Sequence, residues 1–230
     1  KLINLKPSEV AEIKAFCKSH GIALTSYLEI IGTRILGKTF LKHYKPPSDA
    51  QWKTSTLIAI SGRRFLNNKK FQYGTLVTGD TYIMEPLDPE LPRVEIVDRM
   101  QKFHQQLHAA VESRSAFQNI GLMQYLNYWA MNKKYMGNAE RLTLLISNLG
   151  MLPKTEGGEK WQIEDMWFGL NTGLKYNFIF NVTSTHQNGL NIVLSYRPEF
   201  GQVTGESGRL LIDQFTEEVT NELRTFCKVT

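Results

Sequence analysis

Apolar residues return every three to four positions in some stretches of this chain, and elsewhere they run together or alternate. The first pattern predicts helices and the second buried strands. Pro7-Ser8-Glu9 opens a helix with Ser8 as its cap; Val10, Ile13 and Phe16/Cys17 form its apolar stripe and Gly21 ends it. Thr25 caps a second helix with Leu28, Ile31, Ile35 and Leu36 on one face, and Gly37 closes it. Lys45-Pro46-Pro47-Ser48-Asp49 breaks the pattern. The runs STLIAISGRRF (55–65) and YGTLVTGDTYIM (73–84) predict two strands rich in β-branched residues. After a turn-rich link from Pro86 to Pro92, a long helix runs from Val94 to Val111 with Val94, Val97, Phe103, Leu107 and Val111 inward. Residues 120–131 read as helical and aromatic, with Tyr125, Tyr128 and Trp129.

RLTLLISNLG (141–150) is a buried strand ended by Gly150, and GGEKWQIEDMWFG (157–169) predicts a loop followed by another strand. KYNFIFNVTST (175–185) and LNIVLSY (190–196) form a hairpin through His186-Gln187-Asn188-Gly189, since Asn-Gly favours a tight turn. A last helix, roughly 207–226, carries Leu211, Phe215, Val219, Leu223 and Phe226 on one face. Helical and strand patterns thus both recur along the chain.

Composition narrows the functions. At 230 residues, 42% hydrophobic, the chain can bury a sizeable core. Its net charge of +5 is spread thinly, without a Lys/Arg stripe interleaved with aromatics, so we expect no nucleic-acid partner. Cys17 and Cys227 are too few for a disulfide framework or a zinc site, which points to a reducing compartment. No stretch is long and apolar enough to span a membrane as a helix.

Several motifs tempt and fail. Gly32 to Thr39 spells the phosphate-loop pattern G-x-x-x-x-G-K-[ST]. Ile35 and Leu36 inside it continue a helical stripe, and the N–H groups of a helix interior are spent on its own carbonyls. Gly37 then reads as a helix end and Lys38 as a solvated or dipole-facing charge. His104 and His108 have the spacing of two helical metal ligands, with Glu112 the only carboxylate in register, and read as a solvated face; no metal is expected. Gly205-Glu206-Ser207-Gly208 lacks the spacing of a nucleophile elbow. Asn181-Val182-Thr183 spells a glycosylation site inside a strand.

Taken in order, LKPSEVAEIKAFCKSHGIALTSYLEIIGTRIL, LIAISGRRFL with FQYGTLVTG, LLISNLGMLP leading into WQIEDMWFGL, and FIFNVTSTHQNGLNIVLSY resemble the C-terminal half of fungal alcohol O-acetyltransferases. The likeness runs over nearly the whole chain. The wider superfamily holds chloramphenicol acetyltransferase, the plant BAHD acyltransferases and the condensation domains of peptide synthetases. The resemblance implies an α/β fold class, a chloramphenicol acetyltransferase-like C-terminal lobe with a mixed sheet flanked by helices, one of two lobes with a tunnel between them that acyl-CoA and acceptor enter from opposite faces. IEDMWFG stands where the BAHD branch has D-F-G-W-G, which leaves the fungal branch as the better match.

The family's base is the His of an H-x-x-x-D motif, and this chain has none. The residues four after its five histidines are Leu24, Pro47, His108, Glu112 and Leu190. That motif belongs to the N-terminal lobe, so residues 1–230 are expected to be the C-terminal lobe of a longer enzyme and inactive alone. The implied activity is transfer of acetyl from acetyl-CoA, a co-substrate and not a bound cofactor, to an alcohol. N-acetylation of a lipid-like amino alcohol and a non-catalytic binding or scaffold lobe are the alternatives. The implied partners are the chain's own N-terminal lobe and a small alcohol or amine. An intracellular setting follows, in the cytoplasm or at the cytosolic face of the endoplasmic reticulum or lipid droplets, with any membrane attachment left to chain ends beyond these residues.

The resemblance also assigns residues. Arg63, or Arg64 if the register shifts by one, matches a strand-end Arg that pairs with the motif Asp and supports the catalytic loop; the bland reading is a solvated charge. Tyr73, Gly74 and Thr75 match a stretch bordering the tunnel, and Ser147, Asn148 and Gly150 end a strand that faces it. Tyr125, Tyr128 and Trp129 either line an acceptor pocket or belong to the core.

Overall fold

A computed structural model describes residues 1–41, 53–65, 76–88, 90–123, 125–127, 129, 130, 133, 141–153 and 161–228. In chain order these residues form β1 (Leu2–Leu5), α1 (Pro7–Ser19), α2 (Leu24–Phe40), β2 (Thr54–Ser61), β3 (Val77–Met84), α3 (Arg93–Glu112), α4 (Ser115–Met123), β4 (Leu142–Met151), β5 (Tyr176–Thr185), β6 (Gly189–Tyr196) and α5 (Leu211–Thr225). The strands make one mixed six-stranded sheet in the order β1-β6-β5-β4-β2-β3. Its centre, β2-β4-β5, is parallel, and both margins are antiparallel.

Helices cover one face of this sheet. A Cβ on Gly32 of α2 would lie 2.7 Å from the Phe180 ring and 3.6 Å from Leu144 Cδ2, so α2 rests on β5 and β4. Phe215 of α5 meets Phe178 and Phe180 on the same face, with ring centroids 6.1 and 6.3 Å apart. Leu211, Phe215, Val219 and Leu223 have no exposed surface, as the stripe at that spacing predicts. The first glycine of the false phosphate loop is thus a close-packing residue within a helix. Lys38 of the same pattern pairs with Glu218 of α5 at 3.0 Å.

Several boundaries differ from expectation. Pro7 occupies the first position of α1, so Lys6 is the N-cap and its N–H is bonded to Glu9 Oε2 at 2.7 Å; Ser8 lies inside the first turn. Ala23, not Thr25, precedes α2, and the helix continues through Gly37 to Phe40. Gly37 is buried there, where the helix is already held by packing. In α3 the buried positions are Ile96, Met100, Phe103 and Leu107, and Val94 is 74% exposed. The stripe is rotated: Ile96 and Met100, at i and i+4, take the buried face with Phe103 and Leu107 in place of Val94. Where one aromatic helix is expected, α4 ends at Met123, residues 125–127 are non-helical and residues 129, 130 and 133 are helical again; Tyr125 and Trp129 stand in solvent. The last helix begins at Leu211, a few residues later than expected.

Among the described residues of the predicted strand, 161–169, no strand forms, and residues 161–172 carry no regular secondary structure. They lie across the sheet face that carries no helices and are held by side chains of β5 and β6. Thr183 Oγ1 donates to Met166 O (2.7 Å), Thr185 Oγ1 to Glu164 O (3.0 Å) and Asn191 Nδ2 to Met166 O (3.0 Å), while Asn181 Oδ1 accepts from Leu170 N (3.2 Å). Asn181, read as a sequon, is 1% exposed, with its amide committed to this strap and to Val193 O. The β5–β6 hairpin turns at Gly189, whose φ of 79° and contact with β1 both require glycine: a Cβ would lie 2.1 Å from Leu5 O.

Candidate functional site

Parallel strands β2, β4 and β5 end at one edge of the sheet, the place where open α/β sheets bind ligands. A groove of about 320 Å³ lies at this edge. Ile58, Ala59, Ile60 and Ser61 of β2 form one wall, Ala23 and Thr25 at the start of α2 another, and His104, Leu107, His108 and Val111 of α3 the third. The walls are mostly apolar, with two hydroxyls and two imidazoles as their polar groups.

The candidate residues gather around this edge but not in one cluster. Arg63 follows β2 after Gly62 and is exposed, in a short 3-10 turn, Arg63–Phe65. The turn is anchored on both sides: Gly62 N–H donates to Leu76 O at 2.7 Å, and Phe65 packs edge-on against Phe117 of α4 at 5.2 Å. The Arg114 guanidinium lies 5.2 Å from the Phe65 ring centroid. The Arg64 side chain, the alternative, lies outside the described residues, as do Tyr73, Gly74, Thr75 and Tyr128.

On β4 the strand alternation splits the trio. Ser147 pairs in register with Asn181 and belongs to the strap side. Asn148 turns to the helix side, where its Nδ2 donates to Thr25 Oγ1 at 3.3 Å and ties β4 to the groove wall. Its Oδ1 accepts from Gly150 N at 2.9 Å, and Gly150, with φ of 79°, sits at the register shift between Asn148 and Met151 in the β4–β5 ladder. Tyr125 and Trp129 are 80% and 65% exposed and are neither core nor part of the groove.

Sequence reasoning passed over the two histidines. Their rings are 6.1 Å apart on α3, His108 exposed and His104 half-buried, and both line the groove. His104 Nδ1 is buried and has no hydrogen-bond partner among the described residues. The signal was the phase of α3: once Met100, Phe103 and Leu107 define the buried stripe, His104 falls at its margin instead of on the solvated face. Among the described residues no three His, Cys, Asp or Glu side chains converge as a metal site. A second hollow, about 340 Å³, lies on the strap side beside Ile163, Thr185 and His186.

One buried acid lies behind the groove. Glu29, one turn after Thr25 on α2, has no exposed surface. Burial pushes its carboxyl up to about 8, against the opposing pull of the Thr56 and Thr33 hydroxyls. Burial likewise pushes the Cys17 thiol up to about 12, with a smaller contribution from Cys227, and marks it as a packing residue.

Comparison with known proteins adds to this geometry. A family model described as alcohol acetyltransferase matches residues 1–221. Alcohol O-acetyltransferase 2 of Saccharomyces cerevisiae is 24% identical over 216 residues, covering 84% of this chain and 39% of the yeast protein. Trichothecene 15-O-acetyltransferase TRI3 from Fusarium sporotrichioides superposes with a TM-score of 0.70 at 14% identity, over 98% of this chain and 46% of that one. The epimerization domain from the third module of tyrocidine synthetase B superposes with a TM-score of 0.61 at 8% identity, over 99% of this chain and 48% of that one. The chain thus spans less than half the length of each of these relatives.

Proposed function

This chain belongs to the alcohol acetyltransferase family, and we propose that it forms the C-terminal lobe of a two-lobed enzyme that moves acetyl from acetyl-CoA to an alcohol. The observation that carries this reading is the groove at the carboxyl end of β2, in a chain that matches about half the length of each solved relative. In the reaction, a histidine of the other lobe takes the acceptor hydroxyl's proton as its oxygen attacks the thioester carbonyl carbon. The tetrahedral adduct collapses, the C–S bond breaks, and the proton passes to the departing CoA sulfur. This chain supplies no base at the required spacing. Its share is a wall: Thr25, Ser61, Asn148 and the two histidines line or brace one side of the substrate tunnel, and Ser147, Gly150 and Tyr73 to Thr75 border it.

The N-terminal lobe is the proposed partner of the strap face, where Trp161, Ile163, Trp167 and Leu170 are 85%, 60%, 38% and 43% exposed. Arg63, held at the strand end by its anchored turn, pairs across the lobe boundary with the Asp of the H-x-x-x-D motif. An intracellular, reducing setting is supported by Cys17 and Cys227 both being free thiols. A non-catalytic lobe is the second reading, favoured by the missing base. An amino alcohol is the other acceptor class.

Steady-state kinetics on the two-lobed protein test the Arg63 assignment. We expect Arg63→Ala to lower kcat with a smaller change in KM for acetyl-CoA, because loss of one partner of a desolvated pair costs about 3–5 kcal/mol. Arg63→Lys should rescue poorly, since an ammonium cannot make the planar two-point contact. Normal kcat in Arg63→Ala with loss in Arg64→Ala moves the role to Arg64; normal kcat in both removes it.

A further inference from the structure

Glu29 is not used by the chemistry above, yet its surroundings are unusual for a carboxyl. It is completely buried on α2. Oε1 accepts from Thr56 Oγ1 of β2 at 3.1 Å, and Oε2 is buried with no hydrogen-bond partner among the described residues. The hydroxyl of Thr33, one turn on, is bonded to Glu29 O at 2.9 Å. Among the described residues only hydroxyls meet this carboxyl, and no cation pairs with it. Of the charged groups on the elements around α2, Glu222 and Glu218 of α5 hold Arg34 and Lys38 further along the helix, and Arg99 and Lys102 of α3 line a hollow beside Thr33, with Lys102 paired to Asp98 at 2.7 Å. Asp80 and Tyr82 of β3 interact with each other, and His104 of α3 lines the groove.

The contact sits directly behind that groove. Thr25, one turn before Glu29, is on its α2 wall, and Ile58, two residues after Thr56 and on the same sheet face, is on its β2 wall. We propose that Glu29 is a proton-controlled brace: as a neutral acid it fastens α2 to β2 through Thr56 and fixes the separation of the two groove walls, and loss of its proton releases them. A carboxylate in this position would be a buried charge with an unpartnered oxygen and no counter-ion. The chain therefore gives up the proton by opening the α2–β2 contact to water. This holds whatever the groove binds.

The sign follows from linkage. The folded form holds the Glu29 proton up to about pH 8, whereas a solvated glutamate loses it near 4.5. Between those values each pH unit favours the opened, deprotonated form by about tenfold. The test is hydrogen–deuterium exchange of the chain between pH 5 and 8, corrected for intrinsic exchange, on peptides covering 24–33 and 54–61. We expect opening to rise about tenfold per pH unit in the wild type and to be nearly pH-independent in Glu29→Gln, which keeps shape and an acceptor for Thr56. His104→Asn, the imidazole control, should keep the wild-type slope. Infrared difference spectra at pH 7 give a second readout: the carbonyl stretch of a protonated carboxyl, present in the wild type and absent in Glu29→Gln. Equal slopes in wild type and Glu29→Gln, loss of the slope in His104→Asn, or no protonated-carboxyl band would overturn the proposal.

Discussion

Asn148 shows how much one side chain can join. Its amide nitrogen reaches Thr25 at the start of α2, and its oxygen holds the backbone of Gly150 where the β4–β5 ladder shifts register. Asn148→Ala should cost about 1–2 kcal/mol in a urea titration, one to two net hydrogen bonds. Gly189→Ala should cost about 3 kcal/mol or more by the same measurement. There the new methyl meets fixed backbone of β1, at a φ of 79° that an L residue adopts only with strain. The sequence announced Gly189 through its Asn-Gly pair. It announced Asn148 only as a polar residue after an apolar run, because its partner Thr25 is 123 residues away and local pattern carries no such information.

At the scale of elements, legibility followed the strength of the period. The α5 stripe is four apolar residues at helical spacing with polar residues between them, and it was read correctly to within its first turn. β5 and β6 were equally plain, since apolar runs joined by Asn-Gly admit few alternatives. α3 was found but rotated: it has more apolar residues than one face can bury, and the choice among them depends on α2 and β3, which the sequence does not display. Chemical denaturation can check the observed phase. Met100→Ala should cost about 2–5 kcal/mol, whereas Val94→Ser should stay within about 0.5 kcal/mol. The strap was misread for a different reason. WQIEDMWFG has the alternation and aromatics of a strand, but its backbone is bonded by threonine and asparagine side chains on a sheet face, and no pairing partner is available there.

For the whole molecule, two faces of one sheet are used differently. The helix face encloses the core, while the strap face, proposed above as the surface that meets the N-terminal lobe, keeps large apolar side chains in contact with water. Among the described residues no helix is long and apolar enough to cross a membrane. The overall α/β class and family were legible because they rest on the order of many elements. The groove was not, because it is assembled from α2, β2 and α3, and none of its lining residues was assigned to the tunnel from sequence. The measurement that bears most directly on the proposed role follows free thiol released from acetyl-CoA in the presence of a panel of alcohols and amines. It is made on residues 1–230 alone and on the same chain completed with an N-terminal lobe carrying H-x-x-x-D. We expect no turnover above background from the chain alone and acetyl transfer to an alcohol from the completed protein. Turnover by the chain alone that disappears on mutating one of its five histidines, or none from the completed protein with any acceptor, would contradict it.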